Sequence, residues 1–415
     1  MAHIDYIKPT TVRENVVVSL PDNNVLEGPI GATVEAFLEA AYPEAVAKEL
    51  SLLMGGIVDG RLRELAFPIT RDSSLAPVFL TNSDGGRIYR RSLIMLMATA
   101  VSELWPEAKV NVGYAIPEGG FYCRVVNRDA LDETELKALD DRMREIVEAN
   151  EPITKRVASR DEATKLFANR NDEDKVRLLE QRTRNDLTLY GLRGREDYYY
   201  GYMLPSTRYL HTFRLIQASD GFILQYPRKE VPGELTPIPG FSKLVRVFQQ
   251  AENWLNRLGV EDIGRLNQIV RQDRAHELIL VAEALHEQHI AQIATEICER
   301  HERQDVQLVL IAGPSSSGKT TFSKRLAIQL LAHGLRPFTL EMDMYFVDRE
   351  LTPRDPNGDY DFESLKAINL PLFNKQLLQL MAGEEIRLPR FDFVKGKSSE
   401  GSLARLQKNQ IGRAS

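Results

Sequence analysis

A short run of residues after position 312 has the types and spacing needed to hold a phosphate chain. It reads Gly-Pro-Ser-Ser-Ser-Gly-Lys-Thr-Thr, so that a glycine stands at each end of the loop and a lysine follows. Glycine lets the backbone bend until successive N–H groups point inward at an anion. The lysine can reach the β- and γ-phosphates of a nucleoside triphosphate, and the first threonine can hold Mg²⁺. The predicted binding residues are Gly313, Pro314, Ser315, Ser316, Ser317, Gly318, Lys319, Thr320 and Thr321.

The segments on both sides of this loop are the ones that such a motif requires. Residues 308–312 form an apolar run, which predicts a buried parallel strand. Phe322, Leu326 and Leu330 then recur at helical spacing. A serine- and glycine-rich turn could match the motif by chance, but the order strand, loop, helix argues against that alternative.

A carboxylate follows the next predicted strand. Residues 336–343 form an extended pattern that ends at Asp343. Ligands of open parallel sheets gather at the carboxyl ends of the strands, so Asp343 is expected beside the phosphate loop. There it could accept a hydroxyl proton during phosphoryl transfer. The alternative is that Asp343 only caps the following turn.

The composition indicates an ordinary globular protein. The 415 residues suffice for two to four domains, and 43% are apolar and 27% charged. A net charge of −6 gives no overall signature of nucleic-acid or membrane binding. Only Cys123 and Cys298 occur, and the N-terminus lacks a signal-peptide core, so we expect a cytoplasmic protein without a membrane partner. No oligomeric state can be derived from these features.

The N-terminal half contains a recognisable order of elements. Strand patterns at residues 16–20 and 25–26 precede a short helix, an Asp59-Gly60 hairpin signal and a long apolar helix ending near Trp105. Over roughly residues 14–226 this order resembles the N-terminal half of threonyl-tRNA synthetases. The resemblance implies a ubiquitin-like TGS domain followed by the second additional domain, which carries an editing site in that family.

The editing motif itself is altered. The family uses a His-x-x-x-His pair and a Cys-x-x-x-His pair, and this chain has Arg91, Met95, Tyr199 and Met203 at those positions. Arginine and methionine do not suit a hard metal or a proton shuttle, so we do not expect aminoacyl-ester hydrolysis. RNA remains a candidate partner of this half. The neighbouring run 198–202, which has four tyrosines, could line a pocket that stacks a base, or the tyrosines could simply pack.

The C-terminal segment resembles the uridine kinase and phosphoribulokinase branch of P-loop kinases. The resemblance rests on the phosphate loop and on residues 342–349, 359–365 and 389–393. It implies ATP and Mg²⁺ as cofactors, a nucleoside as substrate, and catalytic roles for Lys319 and Asp343. It also implies that Asp343 lies near the nucleoside 5′-hydroxyl. The other substrate-binding residues implied are Tyr345, Asp361, Phe391 and Asp392. A known bacterial architecture joins this kinase to the synthetase-like half.

The last residues depart from the kinase pattern. After Val394 there is no apolar strand and no acidic strand end, and residues 396–415 carry a local charge of +3. This composition predicts a disordered tail and a truncated kinase domain. The alternatives to an active nucleoside kinase are therefore a catalytically impaired nucleotide-binding or RNA-associated regulatory protein, and a non-functional truncated product.

The expected fold is multidomain, with α+β and α/β parts. The predicted boundaries are a TGS-like β-grasp domain at 1–80, an editing-like α+β domain at 81–230, a proline-marked helical connector at 231–304, an incomplete P-loop kinase α/β domain at 305–395, and the tail at 396–415.

Overall fold

The computed structural model describes residues 13–43, 52–238, 240, 242–314, 316–355, 358–406 and 410–414. Ser315, one of the predicted phosphate-binding residues, lies outside this set. The chain divides into two compact units, Met1–Gln268 and Ile269–Ser415. The architecture is therefore a mixed α/β chain of more than one unit, as the sequence predicts.

The first unit begins with a mixed five-stranded sheet and one helix. Its elements are β1 (Asn15–Ser19), β2 (Val25–Pro29), α1 (Val34–Ala41), β3 (Leu53–Val58), β4 (Arg61–Arg63) and β5 (Ser73–Phe79). The strand order is β2-β1-β5-β3-β4, and only the β1–β5 pair is parallel. Asp59 and Gly60 both have positive φ, 49° and 73°, which suits a two-residue turn and confirms the predicted hairpin.

Two further sheets and four helices complete most of this unit. The elements are α2 (Ser83–Leu104), β6 (Lys109–Ile116), β7 (Gly120–Val126), α3 (Glu133–Glu148), β8 (Thr154–Ser159), α4 (Arg160–Asn169), α5 (Glu173–Glu180), β9 (Asp186–Leu192), β10 (Arg195–Tyr198), β11 (Arg214–Ala218) and β12 (Gly221–Gln225). The sheets have the orders β11-β12-β7-β6 and β10-β9-β8. Helix α2 packs against the first sheet and α3, so one continuous core joins the two regions.

The connector contains one helix more than the sequence pattern predicts. Its helices are α6 (Ser242–Arg257), α7 (Ile263–Arg271) and α8 (Ala275–Gln304). Asp262 starts α7 by accepting a hydrogen bond from the backbone N–H of Arg265, and it also pairs with Arg177 at 2.6 Å. A helix fixed by a cap and a distant ion pair carries too short an apolar stripe to be recognised. None of the described helices is long and apolar enough to cross a membrane.

The second unit is built around a small parallel sheet. Its remaining elements are β13 (Leu308–Leu310), α9 (Lys319–Ala332), β14 (Arg336–Leu340), α10 (Leu370–Met381), β15 (Ile386–Asp392), β16 (Lys397–Ala404) and β17 (Gln410–Ala414). The order β13-β17-β14 is parallel throughout, and β15 pairs with β16 in an antiparallel ribbon. Leu326 and Leu330 of α9 pack against α8, as the helical spacing predicts.

Two sequence predictions were wrong in this unit. The strand before the phosphate loop is not buried, because β13 is an edge strand of its sheet and Leu310 is 69% exposed. The tail is not disordered over its described residues, because β16 and β17 find hydrogen-bonding partners in other strands. Those partners lie far away in the sequence, so a polar composition does not reveal them. Residues 407–409 and 415 of the predicted tail lie outside the described set.

Candidate functional site: the phosphate loop and its surroundings

The phosphate loop leads directly into helix α9. Gly318 precedes the helix with φ of 86°, a conformation that glycine adopts without strain. The first N–H groups of the helix have no partner within the helix, and the helix dipole places positive charge there. The Nζ atom of Lys319 donates hydrogen bonds to the carbonyl oxygens of Gly313 at 2.8 Å and Pro314 at 3.1 Å. The side chain of Lys319 is therefore held by carbonyl groups of the loop itself.

The loop also borders a cleft of about 700 Å³. A Cβ atom on Gly313 would lie 2.7 Å from the Ser317 Oγ, so a larger residue at that position would force the serine hydroxyl to move. His286 of α8 lines the same cleft and approaches Arg325 at 3.0 Å. Sequence analysis missed His286, since its spacing fits no ligand motif. Most of the lining is apolar, but Gly318, Lys319 and Thr321 bring the start of α9 to the cleft, and a helix N-terminus with a lysine suits the phosphates of a nucleotide.

Asp343 lies at the same edge of the sheet as the loop. Strands β13 and β14 are both parallel to β17, so their carboxyl ends meet at one edge. The loop follows β13, and Asp343 lies in a short 3₁₀ helix, Met342–Tyr345, just after β14. Its carboxylate is exposed and makes no hydrogen bond or ion pair with a described residue. It is free to accept a proton from an incoming hydroxyl.

The other predicted substrate-binding residues have different surroundings. Tyr345 is 1% exposed and donates a hydrogen bond to Gln376 Oε1 at 2.9 Å, and burial raises its pKa to about 12. Phe391 is buried against other rings. Asp392 accepts the backbone N–H groups of the following turn, which hold its pKa below the usual range, and Asp361 accepts the N–H of Glu363. Substrate contact by these residues stays a prediction.

Few side chains near the phosphate loop could bind the expected Mg²⁺ ion. Within the described part of the chain there is no group of three or more His, Cys, Asp or Glu side chains that could hold an ion. Thr320 is exposed in the first turn of α9. A hydroxyl at this place fits Mg²⁺ that is bound mainly through the phosphates of a nucleotide and through water.

The altered editing positions form part of a packed core. Met95 and Met203 are buried, and Arg91 donates a hydrogen bond to the carbonyl oxygen of Tyr202. Burial lowers the pKa of Arg91 and raises that of Tyr199. Apolar sulfur and an arginine that bonds to the backbone fill the place where the family has its histidines. The absence of editing chemistry stays a prediction.

Comparisons with known proteins find different relatives for the N-terminal and C-terminal regions of the chain. Residues 308–411 match the model of the phosphoribulokinase / uridine kinase family. The N-terminal half is similar to threonine–tRNA ligases. The chain is 36% identical over 208 residues to the enzyme of Burkholderia vietnamiensis, covering 50% of this chain and 32% of the relative. The corresponding enzyme of Paraburkholderia phytofirmans is 34% identical over the same shares. The chain thus spans about a third of the length of these curated relatives.

One solved structure that is similar to part of this chain is that of a possible uridine kinase from Bacillus stearothermophilus. It is 27% identical, covers 26% of this chain and 59% of that chain, and superposes with a TM-score of 0.23, too low to define a shared fold. The chain thus joins two regions with different relatives: an N-terminal half similar to threonine–tRNA ligases, and residues 308–411, which match the phosphoribulokinase / uridine kinase family.

Proposed function

We propose that the second unit transfers the γ-phosphoryl group of ATP to the 5′-hydroxyl of a nucleoside of the uridine or cytidine type. The observation that carries this proposal is the placement of a glycine-bounded phosphate loop and the free carboxylate of Asp343 at one edge of a parallel sheet. The match of residues 308–411 to the kinase family supports it.

The residues of the chain have distinct tasks in this proposal. The N–H groups at the start of α9 hold the phosphates, and Lys319 moves from the loop carbonyls to the β- and γ-phosphate oxygens. Thr320 binds Mg²⁺, which neutralises phosphate charge when it is present. Asp343 orients the 5′-hydroxyl and accepts its proton as the oxygen bonds to the γ-phosphorus. The bond between the γ-phosphorus and the bridging oxygen breaks, and ADP leaves.

A coupled assay of ATP conversion to ADP over a panel of nucleosides tests the proposal. Two variants are measured beside the unmodified chain. Lys319→Ala removes the predicted phosphate ligand, and Lys324→Ala removes an exposed lysine from the same helix. We expect turnover that depends on the nucleoside, is lost in Lys319→Ala and is retained in Lys324→Ala. A folded chain without turnover on any nucleoside contradicts the proposal.

The second candidate is a nucleotide-binding regulatory protein without turnover. The described residues include no group of three or more His, Cys, Asp or Glu side chains for a metal ion, so Mg²⁺ would be held mainly by the nucleotide phosphates, Thr320 and water. Mg²⁺-dependent ATP binding that is lost in Lys319→Ala, without turnover, would support this candidate over the kinase.

For the first unit, we propose a TGS-like region followed by an editing-like region that no longer hydrolyses aminoacyl esters. The mixed sheet with α1 and the packing of Arg91 support this assignment. RNA is its proposed partner, since the similarity is to tRNA ligases. Hydrolysis of a mischarged tRNA by the purified chain would contradict it.

A further inference from the structure

The strand that leads into the phosphate loop has one free edge. β13 pairs with β17 on one side, and on its other side it has no strand partner among the described residues. An edge of this kind presents unpaired backbone N–H and C=O groups, which form a template for another strand. The partner that matches such a row of donors and acceptors is an extended polypeptide segment.

The other edge strands of the described sheets carry residues that oppose such pairing. Charged side chains and proline at an edge discourage the addition of a further strand. Each of these strands has at least one of them: Glu27 of β2, Arg61 of β4, Lys109 of β6, Lys155 of β8, Arg195 of β10, Arg214 of β11, Pro337 of β14, Arg387 of β15 and Lys397 of β16. β13 has the sequence Leu-Val-Leu and contains neither. Among the strands that the structure describes, it is therefore the one edge without protection.

The surface beside this edge is apolar as well. Leu310 is 69% exposed, although burial of a leucine side chain is favourable. The cleft that borders the phosphate loop is lined by the same strand, by Ile311 and, from α8, by Ile293. The apolar run continues to Ala312 without a charged residue or a proline. An added strand would therefore cover apolar side chains in addition to pairing with the backbone.

We propose that two copies of this chain associate through β13. The strand of one copy lies antiparallel to the same strand of its partner about a two-fold axis, and the two three-stranded sheets become one continuous sheet. Such a contact must be self-complementary, and an uncharged strand meets that condition because no like charges face each other. Leu310 of each copy leaves water at the contact.

A second copy fits this edge better than a separate peptide does. β13 carries no charge that would select a partner of opposite charge. In a second copy the pairing strand is already ordered, so association does not have to order a flexible chain. The proposal goes beyond the kinase function and does not depend on it, because it concerns the free edge of the sheet and not the loop.

Sedimentation equilibrium of the full chain, over concentrations from about 1 to 100 μM, tests this contact. Leu310→Lys gives β13 the kind of charge that the other edges carry. Leu378→Lys is the matched control, because Leu378 is 68% exposed on α10 of the same unit. We expect the unmodified chain and Leu378→Lys to reach the mass of two copies, and Leu310→Lys to associate at least about tenfold more weakly. Circular dichroism checks that both variants fold.

Hydrogen exchange locates the contact in the chain. The backbone amides of residues 308–312 should exchange more slowly at high than at low concentration of the unmodified chain, and this difference should be absent in Leu310→Lys. If that variant does not fold, the exchange of the unmodified chain decides alone.

Three results overturn the proposal. The first is a folded chain that stays monomeric at every concentration, which leaves the edge to a strand of another polypeptide. The second is a dimer that Leu310→Lys does not weaken, or that both lysine variants weaken equally. The third is a mass that keeps rising beyond two copies, which indicates head-to-tail addition through unlike surfaces and not a two-fold contact.

Discussion

The hydroxyl group of Tyr190 donates a hydrogen bond to the carboxylate of Glu64 across 3.0 Å and 126 residues of sequence. Glu64 is only 8% exposed, and it also pairs with Lys155. One carboxylate from the end of the β3–β4 hairpin therefore links the first sheet to the β10-β9-β8 sheet. The same lysine and tyrosine line a cavity of about 590 Å³ in the first unit.

Removing this carboxylate should destabilise the first unit. Glu64→Ala leaves a buried hydroxyl and an ammonium without their acceptor, and we expect the free energy of unfolding to fall by about 2–3 kcal/mol. Glu64→Gln keeps one acceptor and should lose less. Urea unfolding followed by circular dichroism measures both, with the exposed Glu14→Ala as control. Equal midpoints for Glu64→Ala and the unmodified chain would contradict a structural role.

The stability of the first unit should fall in acid, partly because of Asp172. Burial alone would raise the pKa of Asp172, but Lys175, Arg170 and Lys109 outweigh it and hold that pKa below the usual range. A lowered pKa in the folded state stabilises the protein above the unfolded value of about 4, and this contribution is lost as the pH falls through the folded pKa. Arg170 lies 2.6 Å from the carboxylate.

The measurement is the urea midpoint between pH 7 and pH 3. Asp172→Asn should be less stable at pH 7 and should lose less stability on acidification than the unmodified chain. Asp172→Asn should still lose some stability in acid, because other carboxylates in ion pairs, such as Glu103, also have a lowered pKa. If the urea midpoints of Asp172→Asn and of the unmodified chain fall in parallel from pH 7 to pH 3, Asp172 does not contribute to the pH dependence of stability.

Substitutions of Tyr345 and Asp343 should have different effects, the first on stability and the second on catalysis. Tyr345→Phe loses the buried hydrogen bond to Gln376, and we expect it to cost about 1 kcal/mol of stability without changing the KM for the nucleoside. Asp343→Asn should leave stability unchanged and lower kcat about 100-fold or more. Thermal unfolding and the coupled assay measure the two effects. A raised KM in Tyr345→Phe would instead support substrate contact by this residue.

Strand β17 should tolerate alanine but not proline at Gly412. This residue pairs with Leu308 on one side and Phe338 on the other, so its backbone lies in the middle of the sheet. Proline removes an N–H donor and should destabilise the second unit by at least about 1 kcal/mol, whereas Gly412→Ala keeps the donor. Hydrogen exchange at the backbone amides of residues 308–310, 336 and 338–340 reports the difference. Equal protection in the two variants would mean that the tail does not pair as described.

Local features of this protein could be predicted from the sequence alone. The Asp59-Gly60 hairpin, the helix after Gly318 and the strand before Asp343 all follow from a few adjacent residues. Glycine at a left-handed position and apolar residues at a fixed spacing act within one turn or one strand, so their meaning does not depend on the rest of the chain.

Tertiary structure decided the features that depend on distant partners. The polar β16 and β17 form strands because β15, β13 and β14 offer hydrogen-bonding partners, and Leu310 is exposed because its strand lies at a sheet edge. Likewise, Tyr190 is buried and Tyr200 exposed, although both are tyrosines of one region. Strand pairing and burial depend on which surfaces meet after folding, and the residue types at one position do not encode that.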